Sequence, residues 1–72
     1  MMSTETTIEI EVNGDVKRVP DGTTLADLLK DLRVEQQPVA VELNRTVLKS
    51  SGFERLLRAG DRLEIVTFVG GG

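Results

Sequence analysis

One amphipathic stretch, TLADLLKDLR at residues 24–33, decides how this 72-residue chain folds. Its leucines recur at i, i+3, i+4 and i+7, the spacing that forms an apolar stripe along one side of an α-helix. Thr24 is a good N-cap residue, and Asp27 at the third helical position completes an imperfect capping box, in which Asp replaces Glu or Gln. The stretch therefore predicts a helix from residue 25 to residue 33 that covers one face of a sheet.

A β-hairpin is predicted before the helix. The sequence IEIEV at residues 8–12 alternates apolar and acidic side chains, as in a strand with one buried face. Asn13 and Gly14 follow, and both residues tolerate the positive φ of a two-residue type I′ turn. A turn this tight sets Lys17 opposite Ile10, on the buried side. We therefore expect a bulge or an edge strand near the hairpin tip.

A second hairpin is predicted after the helix. The sequence VAVEL at residues 39–43 alternates again, and residues 44–45 can turn the chain into a short returning strand at residues 46–48.

The last part of the chain predicts a short helical segment and a long strand. Ser51 and Glu54 form an S-x-x-E box, and Gly60 has the residue type of a C-terminal cap. The sequence LEIVTFV at residues 63–69 first alternates and then is apolar on both faces. A strand of that kind is usually central in its sheet.

Strands grouped around one long helix predict an α+β domain with a mixed sheet of four to five strands. If the first and last strands are parallel neighbours, the arrangement is the β-grasp, or ubiquitin-like, fold. We expect one domain at residues 1–69 and a flexible glycine tail at residues 70–72. The periodicities predict a core of Ile8, Ile10, Val12, Leu25, Leu28, Leu29, Leu32, Val41, Leu43, Leu56, Leu63 and Ile65.

The composition argues against catalytic chemistry. The chain has no Cys, His, Trp or Tyr, so thiol catalysis, thiolate metal sites and histidine general bases are excluded. The net charge is −3 and the basic residues are dispersed, so no nucleic-acid partner is predicted. No secretion signal and no apolar run of membrane-spanning length occurs, and we expect no membrane partner and a cytoplasmic protein. We therefore predict that the chain is not an enzyme and that it binds no metal.

The sequence ends in three glycines, Gly70, Gly71 and Gly72, directly after the apolar strand. Three extended residues reach about 10 Å, enough to enter a narrow channel in another protein. Val66 and Phe68 fall on the strand face opposite Leu63 and Ile65, beside that tail. We expect Val66, Phe68 and Val69 to bind a partner, although a tail without function is the alternative.

The chain resembles the ThiS family of sulfur carrier proteins, which is grouped with the MoaD proteins. The segments that carry the resemblance are DGTTLADLL at residues 21–29, VAVELN at 39–44, AGDRLEI at 59–65 and FVGGG at 68–72. The resemblance implies that an E1-like adenylating enzyme, ThiF, activates the carboxylate of Gly72 with ATP. It further implies that a sulfur donor protein converts the product into a covalent thiocarboxylate. The thiocarboxylate then gives its sulfur to thiazole synthase, ThiG, in thiamine biosynthesis. No bound cofactor is implied.

Three other interpretations remain open. The small subunit of molybdopterin synthase shares the implied fold and terminal glycines, but it usually carries prolines before its tail, whereas residues 67–69 here are Thr, Phe and Val. A ubiquitin-like modifier would join Gly72 to target lysines. An interaction module would keep its partners after the glycines are deleted.

Overall fold

The computed structural model describes residues 6–68. Within these residues the elements are β1 Thr7–Val12, β2 Asp15–Pro20, α1 Leu25–Asp31, β3 Val39–Leu43, β4 Thr46–Leu48 and β5 Arg62–Thr67, with a 3₁₀ turn at Ser50–Gly52. No helix in this part of the chain is long and apolar enough to cross a membrane.

The first hairpin has the predicted register. Val12 pairs with Asp15 around the turn at Asn13, whose φ is 51°, and the pairing continues without a bulge along β1 and β2. Lys17 lies opposite Ile10, and its Nζ is 3.7 Å from a carboxylate oxygen of Asp31 at the end of the helix. The lysine therefore lays its carbon chain over the core and keeps its charge at the edge.

The strands form one sheet in the order β2-β1-β5-β3-β4. β1 and β5 are parallel neighbours, whereas the pairs β1–β2, β3–β5 and β3–β4 are antiparallel. The leucines of α1 pack on one face of this mixed sheet. The fold is a β-grasp, and the predicted central position of the last strand and the edge position of β2 are both confirmed.

The helix begins as predicted and ends earlier. Thr24 and Asp27 form both hydrogen bonds of the capping box. The helix stops at Asp31, because Arg33 adopts a left-handed φ of 63° and the Val34 N–H bonds to the Leu29 carbonyl. This Schellman motif ends the helix at its carboxyl terminus.

The early end of the helix overturns one predicted core residue. Leu32 is the C-cap and is exposed, so its assignment to the core was wrong. Val34, directly after the reversal, packs against the core instead. The Schellman motif accounts for the replacement of Leu32 by Val34 in the core, because its second residue after the C-cap, here Val34, commonly packs against the last helical turn.

The segment after β4 also differs from the prediction. The 3₁₀ turn at Ser50–Gly52 starts from Lys49 without a side-chain cap, so Ser51 and Glu54 form no capping box. Gly60 caps no helix and lies in a turn with φ 87°.

The prediction that Leu56 belongs to the core was wrong. The chain near Leu56 is extended and bridges Thr24, with the Leu57 N–H donating to the Thr23 carbonyl. Side chains alternate in extended backbone, so Leu56 points outward with 59% exposure and Leu57 is buried at 2%.

Most of the predicted core is confirmed. The buried apolar residues are Ile10, Val19, Leu25, Leu28, Leu29, Val41, Leu43, Leu57, Leu63 and Ile65. Ile8 and Val12 are only partly buried against this cluster, and Val19, which was not predicted, belongs to it. Val19 enters because the hairpin register sets it opposite Ile8 on the helix-covered face.

Candidate protein-interaction site on the open face of the sheet

Strand β5 divides its side chains between the two faces of the sheet. Leu63 and Ile65 point toward the helix and are buried. Val66 and, just past the strand, Phe68 are 52% and 55% exposed. The alternation of an extended chain places these two residues on the face that no helix covers. The predicted exposure of Val66 and Phe68 is therefore confirmed.

Neighbouring strands extend this exposed apolar surface. Ala40 of β3 lies directly opposite Val66. Val47 of β4 lies opposite Glu42, one diagonal step from Ala40, and is 69% exposed. We call Ala40, Val47, Val66 and Phe68 the open-face patch. A contiguous exposed apolar surface of this kind is typical of a protein-binding site.

Carboxylates border the open-face patch. Glu42 and Glu64 lie directly opposite each other on β3 and β5, and neither forms an ion pair within residues 6–68. Like charges in this arrangement repel. The rest of the open face is balanced, with Arg62 beside Glu11 at 3.4 Å and Arg18 beside Glu9 at 3.2 Å. Arg45 and Arg62 line the same depression as these two glutamates, so this border of the patch carries charges of both signs.

Asparagine side chains hold β5 from both sides. Asn44 begins the second turn with φ 50°; its backbone N–H donates to the Arg62 carbonyl, and its Oδ1 accepts from the Arg62 N–H at 2.9 Å. On the other side, the Asn13 amide bonds to both backbone groups of Ile65. Each asparagine thus bonds to β5 through its backbone N–H and also through its side-chain amide. The strand that leads into the tail is thereby fixed in register.

Phe68 is the last described residue, and its N–H donates to the Pro38 carbonyl at 3.0 Å. Val69 and the predicted tail residues Gly70, Gly71 and Gly72 lie outside the described residues. The structure thus places Val66 and Phe68 on the same face of the sheet, at the end of the described chain.

The titratable side chains of the described residues show one resolved pKa shift, at the start of the helix. No group of three or more metal-binding side chains is placed to hold a metal ion among residues 6–68. Hydrogen bonds from the backbone and side chain of Thr24 lower the pKa of Asp27, which is a feature of the helix cap.

Ala40, Val47 and the two asparagines were not identified as part of this site from the sequence. The hairpin register contained the signal for Val47, because a two-residue turn at residues 44–45 places it opposite Glu42 on the open face. The roles of Asn13 and Asn44 required the three-dimensional placement of β5.

Comparison with known proteins supports the family assignment. The sequence model of the ThiS family matches residues 5–72. The sulfur carrier protein ThiS of Bacillus subtilis is 38% identical over 65 residues, which cover 88% of this chain and 98% of that protein. The crystal structure of the thiamine biosynthesis protein ThiS from Geobacter metallireducens superposes with a TM-score of 0.74 at 35% identity, over 90% of this chain and 100% of that one.

A longer relative contains a similar segment. A thiazole synthase of Paramagnetospirillum magneticum is 35% identical over 66 residues, which are 90% of this chain but 20% of that protein. This chain therefore spans about a fifth of the length of that relative. The family match, by contrast, takes in both the sheet and the glycines, and the chain belongs to the ThiS family.

Proposed function

We propose that this chain is the sulfur carrier of thiamine biosynthesis and that the carboxylate of Gly72 carries the sulfur. The observation that carries the proposal is the ThiS family match over residues 5–72, which includes both the β-grasp sheet and the terminal glycines. The Bacillus subtilis relative, which this chain covers almost completely, is named as a sulfur carrier. The chain acts as a carrier and co-substrate, and the catalytic groups belong to its partners.

The chemistry needs an activating enzyme. An ionised carboxylate is a poor electrophile, so sulfur cannot displace its oxygen directly. A ThiF-like, E1-like enzyme joins a Gly72 carboxylate oxygen to the α-phosphorus of ATP, and pyrophosphate leaves. Sulfur at the oxidation level of sulfide, delivered by a sulfur donor protein, then attacks the carbonyl carbon and expels AMP. The product is a thiocarboxylate at Gly72.

The composition fits a carrier whose reactive group is at the end of the backbone. The chain has no cysteine on which a persulfide could be carried. Glycine leaves the terminal carbonyl unobstructed and lets Gly70 and Gly71 pass through a narrow channel. We propose that the open-face patch, with Val69, contacts the activating enzyme while the glycines enter its nucleotide site.

Thiazole synthase is the proposed acceptor of the sulfur. Segments similar to this chain occur within proteins named thiazole synthase. Two activities carried on one chain commonly act in one process, so a ThiG-like enzyme is the partner that consumes the thiocarboxylate.

A reconstituted transfer tests this function. The purified chain is incubated with a ThiF-like enzyme, ATP and sulfide and is then divided into two samples. One sample receives thiazole synthase and its substrates, and the other receives the large subunit of molybdopterin synthase and the substrates of that enzyme. We expect the carrier to lose its sulfur in the reaction that contains thiazole synthase. Transfer in the molybdopterin reaction alone, or isopeptide bonds between Gly72 and lysines, would contradict the proposal.

A further inference from the structure

The backbone groups of β5 face two different neighbours. The Asn44 N–H bonds to the Arg62 carbonyl, and the Phe68 N–H bonds to the Pro38 carbonyl, so even-numbered residues of β5 form the ladder with β3. In an antiparallel pair the backbone groups of alternate residues point the other way. The N–H and C=O groups of Leu63, Ile65 and Thr67 therefore face the β1 side.

Strand β1 covers only the first part of that side. Its pairing with β5 ends where Val12 meets Leu63, and the Asn13 N–H then bonds to the Leu63 carbonyl at 2.8 Å. The Asn13 side chain closes the next position by bonding to both backbone groups of Ile65, at 2.7 and 3.1 Å. The chain then turns away into β2. Within residues 6–68, Asn13 is thus the last residue that pairs with this side of β5.

Thr67 is the next residue whose backbone faces this side. It lies opposite Val39 in a non-hydrogen-bonded position of the β3 pairing. Within residues 6–68, no turn, loop or side-chain hydrogen bond reaches the N–H or C=O of Thr67. Among the described residues, the central strand β5 therefore has a free edge at Thr67, just before the end of the described chain.

We propose that an extended backbone segment of the adenylating enzyme pairs with this free edge as an added strand, beginning at Thr67 beside Asn13. This inference rests on the proposed function, because the enzyme that activates Gly72 is the partner concerned. Sheet edges are common templates for peptide addition, and main-chain hydrogen bonds supply the affinity.

The sequence after Thr67 argues for this kind of recognition. Gly70, Gly71 and Gly72 offer no side chains, so an enzyme that guides them has to hold backbone groups. A strand that starts at Thr67 can continue along the same side of the chain toward Gly72. Every second residue of the tail then pairs with the added strand, at intervals of about 6.6 Å, and this spacing sets how far the carboxylate reaches.

Placement of this precision matters for the reaction. A displacement of about 1 Å at a reacting group can reduce a rate by about 100-fold. Contacts to the open-face patch alone would hold the domain without fixing the position of the Gly72 carboxylate. Pairing at Thr67 joins the rigid sheet to the reacting end.

A proline substitution tests the proposal. Thr67→Pro removes the N–H on the free edge and leaves the ladder with β3 intact, because that ladder does not use this N–H. We expect kcat/KM for adenylation to fall about tenfold or more, as a partner carbonyl loses its donor. Thr67→Val keeps the N–H, and we expect its adenylation to be at least about fivefold faster than that of Thr67→Pro.

A matched control lies at the far edge of the sheet. In the β1–β2 hairpin, Val16 occupies a non-hydrogen-bonded position opposite Glu11, so its N–H faces the outer edge of β2. Val16→Pro makes the same kind of change on a different edge. We expect the two proline variants to have similar thermal stabilities, and only Thr67→Pro to lose adenylation.

Hydrogen exchange gives a second measurement on the unaltered chain. We expect the Thr67 amide to exchange rapidly in the free protein and to be protected when the adenylating enzyme and ATP are added. This result stands even if Thr67→Pro proves unstable.

The outcomes separate this inference from the proposed function. Normal adenylation of Thr67→Pro, or an unprotected Thr67 amide in a complex that adenylates Gly72, would overturn the added strand and leave the carrier function standing. Protection in the free chain at high concentration would also overturn it, in favour of pairing between two copies. A wild-type chain that binds the enzyme with Thr67 protected, yet is never adenylated, would refute the carrier function alone.

Discussion

The side-chain amide of Asn13 replaces a missing stretch of strand beside Ile65. Its Nδ2 donates to the Ile65 carbonyl at 3.1 Å, and its Oδ1 accepts from the Ile65 N–H at 2.7 Å. The two residues are 52 positions apart in the sequence, so these bonds tie the first turn to the last strand. One side chain thus shapes a tight turn and ends the pairing of β5 with β1.

We expect Asn13→Gly to lower the free energy of unfolding by about 1–3 kcal/mol, because both backbone groups of Ile65 lose their partners. Glycine tolerates the positive φ at this turn, so the change isolates the amide from the backbone conformation. Asn13→Asp keeps the acceptor for the Ile65 N–H and should fall between Asn13→Gly and the wild type. Urea denaturation measures all three, and an unchanged stability of Asn13→Gly would show that the amide bonds contribute nothing.

The open-face patch is expected to bind the activating enzyme. Val66→Ser and Phe68→Ser should each weaken that binding about fivefold or more, as for central apolar residues of an interface. Val16→Ser is the matched control, because Val16 is 70% exposed but lies on β2, two strands from β5. Calorimetric titration measures the affinities, and thermal unfolding checks the fold. Equal affinities for all three variants would show that the open-face patch is not part of the interface with the activating enzyme.

The adjacent leucines of the loop before β5 provide a test of the core. Leu57→Ala should lower the free energy of unfolding by about 2–5 kcal/mol, since it opens a cavity at a buried position. Leu56→Ala, one residue earlier, should change it by less than about 0.5 kcal/mol, because Leu56 is exposed. Chemical denaturation of both variants gives the comparison. The reverse order would mean that this loop packs through Leu56.

The capping box should make stability depend on pH through Asp27. Its carboxylate accepts from the Thr24 N–H at 3.1 Å, and the hydrogen bonds with Thr24 lower its pKa in the folded protein. A carboxyl whose folded pKa lies below the unfolded value of about 3.9 stabilises the fold above that value, and the contribution disappears as pH falls through the folded pKa.

The stability difference between wild type and Asp27→Asn should therefore be largest near neutral pH and shrink below about pH 3.9. Thr24→Ala removes the hydroxyl that accepts from the Asp27 N–H at 3.0 Å and should weaken the same pH dependence. Urea denaturation across the acid range measures both effects. A difference that stays constant with pH would exclude the proposed role of the Asp27 charge.

The sequence was sufficient to predict the fold because its local signals agreed with one another. The leucine spacing predicted α1, and Asn13 with Gly14 predicted a hairpin whose register is confirmed. The apolar strand near the end predicted a central β5 beside β1. Each of these signals depends on residues close together in the chain, where periodicity and turn chemistry dominate.

One error in the predicted core lies where distant contacts override a local pattern. Ser51 and Glu54 match a capping box, but the chain there is drawn into extended contact with Thr23 and Thr24, so Leu57 replaces Leu56 in the core. The exchange of Leu32 for Val34 has a local cause instead, because the left-handed φ of Arg33 ends the helix before Leu32 can turn toward the core.

The candidate site was predicted in part. The alternation along β5 identified Val66 and Phe68 on the open face. Ala40 and Val47 join them only because β3 and β4 lie beside β5 in a particular register. The free edge at Thr67 depends on where β1 ends relative to β5, which no local pattern specifies.

The measurement that tests the account most directly is the mass of Gly72 after activation. The chain is incubated with the adenylating enzyme, ATP and a sulfur source, and intact-mass analysis is followed by fragmentation. We predict a gain equal to the exchange of one oxygen for one sulfur, located at Gly72, and no gain in a chain that lacks Gly72 or is extended beyond it. A chain still sulfurated after Gly72 is deleted, or an unaltered chain that is adenylated and then joined to lysines, would contradict the account.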